Sequence, residues 1–295
     1  MNVKPPKYEL LAKHLFLIAI MIVVLFPVLF VLGASINPTG SLGGDIIPKQ
    51  FSLANWRYVF GLPYVDPVSG ETVVSPYPIM KWLFNSIKVA GIASIVVLLL
   101  STTSAYALSR FRFKGQKSTL VTLMILQMFP AIMAMVAFYV MLDFIGQYFP
   151  GLGIDTHGGL ILVYLGQTPF YIWLIKGYFD SIPKSLEESA IIDGCTRFQA
   201  FYKIVIPLCT PILAVVTLLT FISVFSDFVL PSIILKSEDK LTFAVGIQIF
   251  ISDQYSGRWG QFAAACILCA APITALFMSI NRFIVAGLAK GGSKG

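Results

Sequence analysis

Charge is what this sequence has least of. Of its 295 residues, 12% are Asp, Glu, Lys or Arg, where a soluble domain carries about 25%. Histidine occurs only as His14 and His157, far apart and without metal-ligand spacing, so neither points to a metal centre. Cysteine is also sparse. Cys195 lies in a polar stretch, and Cys209, Cys266 and Cys269 lie in apolar runs. None falls in a loop assigned below to the outer face, so no disulfide is expected. The C-x-x-C spacing of Cys266 and Cys269 sits inside an apolar run with no second ligand pair, and reads as small packing residues. Strand-type alternation is absent, which argues against a β-barrel. A G-x-x-x-x-G-K-[ST] phosphate loop is missing too. Gly115-Gln116-Lys117-Ser118 lacks the Gly-Lys pair, so the chain does not cradle ATP that way, and no cofactor is expected.

What is present in abundance is apolar length. Hydrophobic residues make up 57% of the chain, and the mean hydropathy is +0.83. Six segments approach or exceed the roughly 20 residues needed to span a bilayer: Leu15–Ser35, Val89–Ser109, Ser118–Leu142, Gly158–Ile175, Ile204–Leu235 and Trp259–Asn281. The fold class is therefore an all-α integral membrane protein with six transmembrane helices. The first segment follows Lys4, Lys7 and Lys13, but it exceeds the roughly 7–15 apolar residues of a signal core and reads as an uncleaved helix. Alternate connections divide the Lys and Arg residues unequally, 14 on the side of both termini and 6 on the other, with Lys88 at a helix edge. Positive residues collect in the cytoplasm, so both termini are cytoplasmic. The net charge of +7 has the same origin and does not imply nucleic acid. The expected organisation is a first helix with a long external loop over 1–80, a membrane domain over 81–285, and a cytoplasmic tail over 286–295. The external loop is rich in Pro, Gly and aromatics and reads as a folded lobe.

One cytoplasmic stretch stands apart: EESAIIDGCTRFQAFYKIVIPL, residues 187–208. Ser185 and Glu188 have capping-box spacing. Glu187 and Glu188 fall in a first helical turn, where the helix dipole favours anions. Gly194 suits a left-handed C-terminal position. Thr196 and Gln199 repeat the capping pattern before a second helix that runs towards Pro207. The stretch therefore reads helix, tight turn, helix. An amphipathic pair on the lipid surface would want a basic polar face. This face is acidic, which favours docking to a protein.

Inside the membrane, Asp227 interrupts an apolar run near its outer boundary. It serves either packing at the interface or as a polar group at the mouth of a pathway, with Phe228 beside it. Gln127, Tyr164, Gln167 and Tyr171 are either helix-packing contacts or pathway-lining groups of the kind a sugar requires. Between the last two spans, Ser252–Trp259 reads SDQYSGRW. Gln254, Tyr255, Ser256 and Gly257 are either a plain connection, with Trp259 at the headgroup level, or a partner-contacting loop.

The pattern Glu188-Ser189-Ala190, three residues, Gly194, nine residues, Ile204-Val205-Ile206-Pro207 resembles the E-A-A-x3-G-x9-I-x-L-P loop of ABC-importer permeases, with Ser189 and Ile206 as the departures. The run LTFAVG, the Asp227-Phe228 pair and the tail GLAKGGSKG are similar to the carbohydrate branch. LSTTSAYALSRFRF, QMFPA, DTHGG and IKGYFDSIP are similar to the smaller permease subunits of maltose/maltodextrin importers. The resemblance implies a type I importer (MetI-like) fold in a bacterial inner membrane and no catalysis by this chain. The implied partners, besides membrane lipid, are a second, larger permease, a homodimeric ATPase and an extracytoplasmic sugar-binding protein. It also implies a coupling segment over 185–207 that presents Glu187, Glu188, Ser189, Ala190, Asp193, Gly194, Ile204 and Pro207 to the ATPase. Gly291, Gly292, Lys294 and Gly295 would form a tail that meets the ATPase, and Gln254–Gly257 would form a loop that reaches the binding protein. A permease for another oligosaccharide stands as the alternative. A stand-alone secondary transporter would need ion-coupling charges at mid-membrane, and none is evident.

Overall fold

In a computed structural model of the chain, residues 7–38, 48–66, 69–252 and 258–291 are described. The apolar runs are helical because a backbone surrounded by hydrocarbon must satisfy its own N–H and C=O groups. In chain order the elements are α1 (Lys7–Ser35), α2 (Ala54–Val59), a hairpin of β1 (Tyr64–Val65) and β2 (Thr72–Val73), α3 (Ile79–Arg110), α4 (Gln116–Met128), α5 (Met135–Tyr148), α6 (His157–Tyr164) and α7 (Thr168–Ser181). They continue with α8 (Ser185–Ile192), α9 (Arg197–Ala200), α10 (Ile206–Phe225), α11 (Val229–Ile234), α12 (Phe243–Ile247) and α13 (Trp259–Gly291). Among the described residues, five helical stretches have the length and composition to cross a membrane: Tyr8–Ser35, Ile79–Arg110, His157–Ser181, Arg197–Phe225 and Trp259–Ile284.

The third expected span, Ser118–Leu142, is not one helix. α4 stops at Met128, Phe129 and Pro130 are extended (ψ 122° and 120°), and a 3-10 turn over Ala131–Ala134 leads into α5. Pro130 has no N–H to donate, and its ring disfavours the helical conformation at Phe129, so the span is split into two shorter helices. The fifth expected span, Ile204–Leu235, also breaks. α10 ends at Phe225, and Asp227 lies in the gap, where its Oδ1 accepts the Val229 N–H at 2.9 Å in an Asx-type turn that leads into α11. The last helix runs further than expected, with α13 continuing into the tail assigned from residue 286.

The chain forms two compact units, Met1–Met80 with Ile247–Ala270, and Lys81–Gly246 with Ala271–Gly295. In the first, Asn55 donates to the carbonyls of Ser35 (3.1 Å) and Asn37 (3.0 Å). Tyr58 is met edge-on by Tyr64 and Phe250, each with its ring centroid 6.0 Å away. Arg258 donates to the Tyr58 hydroxyl and lies over its ring. The described part of the first external loop is thus a folded lobe, as its composition suggests.

In the second unit, α3, α7 and α10 contribute Val97, Ala105, Ile175, Phe179, Cys209 and Val216 to one buried core. The LTFAVG run is explained by Trp82. Its indole N–H donates to the Glu238 carbonyl at 2.7 Å, and a Cβ on Gly246 would lie 2.1 Å from its ring. Only glycine admits that approach.

Candidate functional site

The cytoplasmic stretch folds as helix, turn and helix, but it starts differently from the sequence expectation. The Ser185–Glu188 capping box does not form. Lys184 takes the N-cap position in a helical conformation, and α8 begins at Ser185. The Glu187 and Glu188 N–H groups, which a capping serine hydroxyl would have satisfied, donate to the Lys184 carbonyl instead. The C-terminal end is as expected. Gly194 has φ 92°, its N–H donates to Ile191 at 3.0 Å, and the Cys195 N–H donates to Ala190 at 2.9 Å. These two bonds form a Schellman motif, which needs a left-handed residue at Gly194. The Thr196–Gln199 capping box forms with both bonds, at 2.8 and 3.2 Å. A wide π-type turn over Phe201–Val205 then joins α9 to α10, and Ile206 donates to the Phe201 carbonyl. Pro207 explains it, since a regular turn would drive the proline ring against the Lys203 carbonyl.

The residues proposed for coupling separate into two sets. Glu188, Ser189, Asp193, Gly194 and Pro207 are exposed, and Ile204 is half-buried in the wide turn. Beside them, Ile191, Ile192 and Phe198 are 44%, 84% and 71% exposed. Glu187 and Ala190 are buried. Glu187 turns inward, where Arg110 Nε donates to its Oε1 and the Tyr106 hydroxyl donates to its Oε2 at 2.9 Å. An outer face that mixes carboxylates with large apolar side chains suits a protein partner better than an anionic lipid surface.

A cleft of about 350 Å³ gathers several of the intramembrane candidates, with Gln127, Phe138, Tyr164, Gln167, Phe170 and Tyr171 among its walls. The Tyr164 hydroxyl donates to Asp227 Oδ2 at 2.9 Å, which ties the carboxylate to the cleft wall. Gln127 reaches the Gly166 carbonyl only at 3.5 Å, and the Gln167 carbonyl oxygen accepts from Ser223 at 3.4 Å. Bonds this long leave both amides able to exchange partners for a ligand hydroxyl. Phe228 is exposed and is not among the cleft residues. Among the described residues, no group of three or more His, Cys, Asp or Glu side chains has a metal-binding arrangement.

The sequence reading did not single out Asp155, which organises the outer side of the second unit. It holds φ 56°, and its N–H donates to the Ile234 carbonyl at 2.9 Å. Its carboxylate accepts from the backbone of Lys236 and Ser237, the Ser237 hydroxyl and the Lys240 ammonium, at 2.5–2.9 Å. Partial burial pushes its pKa up, but the bonds from Lys240 and Ser237 outweigh this and hold the carboxyl well below its usual range. The other missed residues are Arg110 and Tyr106. From sequence alone, an arginine at the end of an apolar run is indistinguishable from an ordinary positive-inside residue. Of the tail, only Gly291 is described, as the last residue of α13. Gly292, Lys294 and Gly295 lie outside the described residues, as do Gln254, Tyr255, Ser256 and Gly257.

Residues 98–290 match the family model of the binding-protein-dependent transport system inner membrane component. A maltose/maltodextrin transport system permease protein MalG of Vibrio parahaemolyticus is 44% identical over 292 residues, covering 99% of this chain and 98% of that protein. The protein of that name from Escherichia coli K12 is 42% identical over the same shares of both chains. Among solved structures, a bacterial ABC transporter involved in import of the acidic polysaccharide alginate shares the fold. Its TM-score is 0.75 at 21% identity, covering 96% of this chain and 98% of that one. The MetNI methionine ABC transporter, in inward-facing conformations, has a TM-score of 0.56 at 15% identity, covering 71% and 95%.

Proposed function

The chain belongs to the family of binding-protein-dependent transport system inner membrane components, and from that premise we propose that it is the smaller permease subunit of an ATP-driven importer of maltose and maltodextrins. It is a multi-pass protein of a bacterial inner membrane. The observation that carries the reading is the Gly194-closed helix–turn–helix, which presents Glu188, Ile191 and Ile192 outward on the cytoplasmic side. A chain without a phosphate loop needs its energy from another subunit, and this is the surface that would receive it. The partners are a second, larger permease, two copies of an ATPase, and an extracytoplasmic sugar-binding protein. Residues 254–257 would meet the binding protein, and Gly291–Gly295 the ATPase. Nucleotide-driven closure of the ATPase pair biases the bundle between inward- and outward-facing states, which is coupling between distant sites. The cleft by Gln127, Gln167 and Tyr171 supports a sugar pathway, because it pairs aromatic faces with amides free to exchange hydrogen bonds.

The test is co-expression with the candidate partners and reconstitution into liposomes with loaded binding protein. Expected are co-purification of the ATPase and ATP-dependent uptake of maltose and maltotriose. ATP-independent uptake would refute an ATP-driven permease, and uptake of a different oligosaccharide alone would replace the sugar assignment.

A further inference from the structure

The two adjacent glutamates of the cytoplasmic stretch face opposite ways, and the difference assigns them different work. Glu187 is 9% exposed at its side chain and Arg110 is 7% exposed, and the two are ion-paired. Arg110 is the last residue of α3, a helix of 32 residues, and its Nη2 also donates to the Ile182 carbonyl at 3.2 Å, just ahead of α8. Its neighbour Ser109 donates to Asp180 Oδ1 in α7 at 2.6 Å, and Lys176 donates to the other oxygen of that carboxylate. The Tyr106 ring lies 4.4 Å from that of Phe201, at the foot of α10, while its hydroxyl holds Glu187. Two side chains of α3 therefore hold one carboxylate carried by α8, and the same end of α3 is tied to α7 through Ser109 and Asp180 and packs on Phe201 at the foot of α10.

We propose that Glu187, gripped by Arg110 and Tyr106, is the positioning residue that carries movement of the docking segment into the membrane helices, whereas Glu188 faces the ATPase. This rests on the reading of residues 185–207 as the ATPase-docking segment. α8 has only eight residues, too few to hold its shape alone, so what it is attached to decides what moves with it. If α8 shifted without α3, two charges would be left unpaired in a low-dielectric setting, a state disfavoured by a factor of at least about a hundred. If α3 shifts with α8, the pair survives. The ion pair thus makes the two helices move as one.

The experiment uses the complete importer in proteoliposomes, with sugar uptake and ATP hydrolysis measured on the same sample. Glu187→Gln keeps the shape and removes the charge, while Tyr106→Phe removes one hydroxyl and keeps the ring packing. Both are expected to retain the ATPase and to hydrolyse ATP, but sugar moved per ATP should fall about tenfold, the size of one lost bond to a charged group. Exchanging the charges, Arg110→Glu with Glu187→Arg, should restore part of that ratio, whereas a purely structural role would lower the amount of assembled importer and leave the ratio unchanged. Glu188→Gln should instead weaken ATPase co-purification. If Glu187→Gln does not accumulate, Tyr106→Phe decides alone. An unchanged sugar-to-ATP ratio with the ATPase still bound would overturn the linkage and leave the docking reading intact. Failure of the unmodified chain to co-purify with the ATPase would overturn the docking reading and the linkage with it.

Discussion

The second compact unit contains two charged junctions, one cytoplasmic and one external. At the cytoplasmic junction, Arg110 and Glu187 are both almost wholly buried, and the bonds run mainly from side chain to side chain across helices far apart in sequence. At the external junction, Asp155 and Lys240 are 23% and 41% exposed, and Asp155 spends two of its carboxylate bonds on backbone N–H groups of a single loop. A charge held by backbone donors fixes the path of the chain locally, and solvent screens what remains. A charge buried against another charge fixes little locally, but it resists separation strongly. The external junction therefore behaves as a latch on one corner, and the cytoplasmic junction as a joint between helices.

Removing one member of the buried pair is the hardest test of that contrast. Arg110→Met leaves Glu187 buried and unpaired, and should destabilise the unit by about 3–5 kcal/mol. The double variant Arg110→Met with Glu187→Leu should recover most of it, because no lone charge remains. Thermal unfolding of the purified protein, compared across the single and double variants, measures the difference. Equal losses in both would mean that the pair acts only through packing.

At the external corner, Asp155→Ala removes the acceptor for two backbone N–H groups. It also leaves an alanine at φ 56°, a conformation that favours glycine, asparagine or aspartate. The expected loss is about 1–3 kcal/mol, with Asp155→Asn losing less because it tolerates that backbone and keeps one acceptor. Limited proteolysis of the 234–240 segment is the readout; if the alanine and asparagine variants are cut at the same rate, the latch description fails.

Gly194 lies outside both junctions and calibrates them. Gly194→Ala forces a side chain onto φ 92° with nothing nearby to clash, so only backbone strain of about 1 kcal/mol or slightly more is expected. Uptake should suffer more than thermal stability does, because the turn that presents the proposed docking face is what changes. A wild-type uptake rate in Gly194→Ala would remove the turn from the coupling account.

The smallest effect is in pH. The Asp155 carboxyl is depressed below its ordinary value of 3.8. A depressed carboxyl contributes stability that is fully present above that value and is lost as pH falls through its folded-state pKa. The stability gap between wild type and Asp155→Asn should therefore be constant from neutral pH down to about that ordinary value and narrow below it. A gap that instead closes between pH 7 and 5 would point to a different titrating group.

Much of this was legible before any coordinates, and the reason differs by element. Helical spans follow from apolar length, because hydrocarbon leaves the backbone no other donor or acceptor. The Gly194 turn and the Thr196–Gln199 box were legible because both are local: a left-handed residue and a three-residue capping spacing are set by chain neighbours. The Ser185 box has the same spacing and did not form, because Lys184 is already helical and its carbonyl takes the same N–H groups. Pro130 was visible in the sequence. That it splits a span rather than bends it depends on Phe129 adopting the extended conformation.

The sequence by itself determined the class, the sidedness and the helix–turn–helix closed by Gly194, since each depends on composition or on residues within a few positions of one another; it overstated the unbroken spans, six against five among the described residues. Only the tertiary structure decided that Glu187 and Glu188 have opposite surroundings, that Tyr164 reaches Asp227, and that Asp155 holds a loop some 80 positions away. Adjacent residues on a helix point about 100° apart, so which of two neighbouring acids is buried depends on where the other helices lie. For Glu187 that partner is Arg110, 77 positions earlier in the chain. Two charges so far apart in sequence are brought together by the packing of α3, α7 and α10, and no local pattern records it.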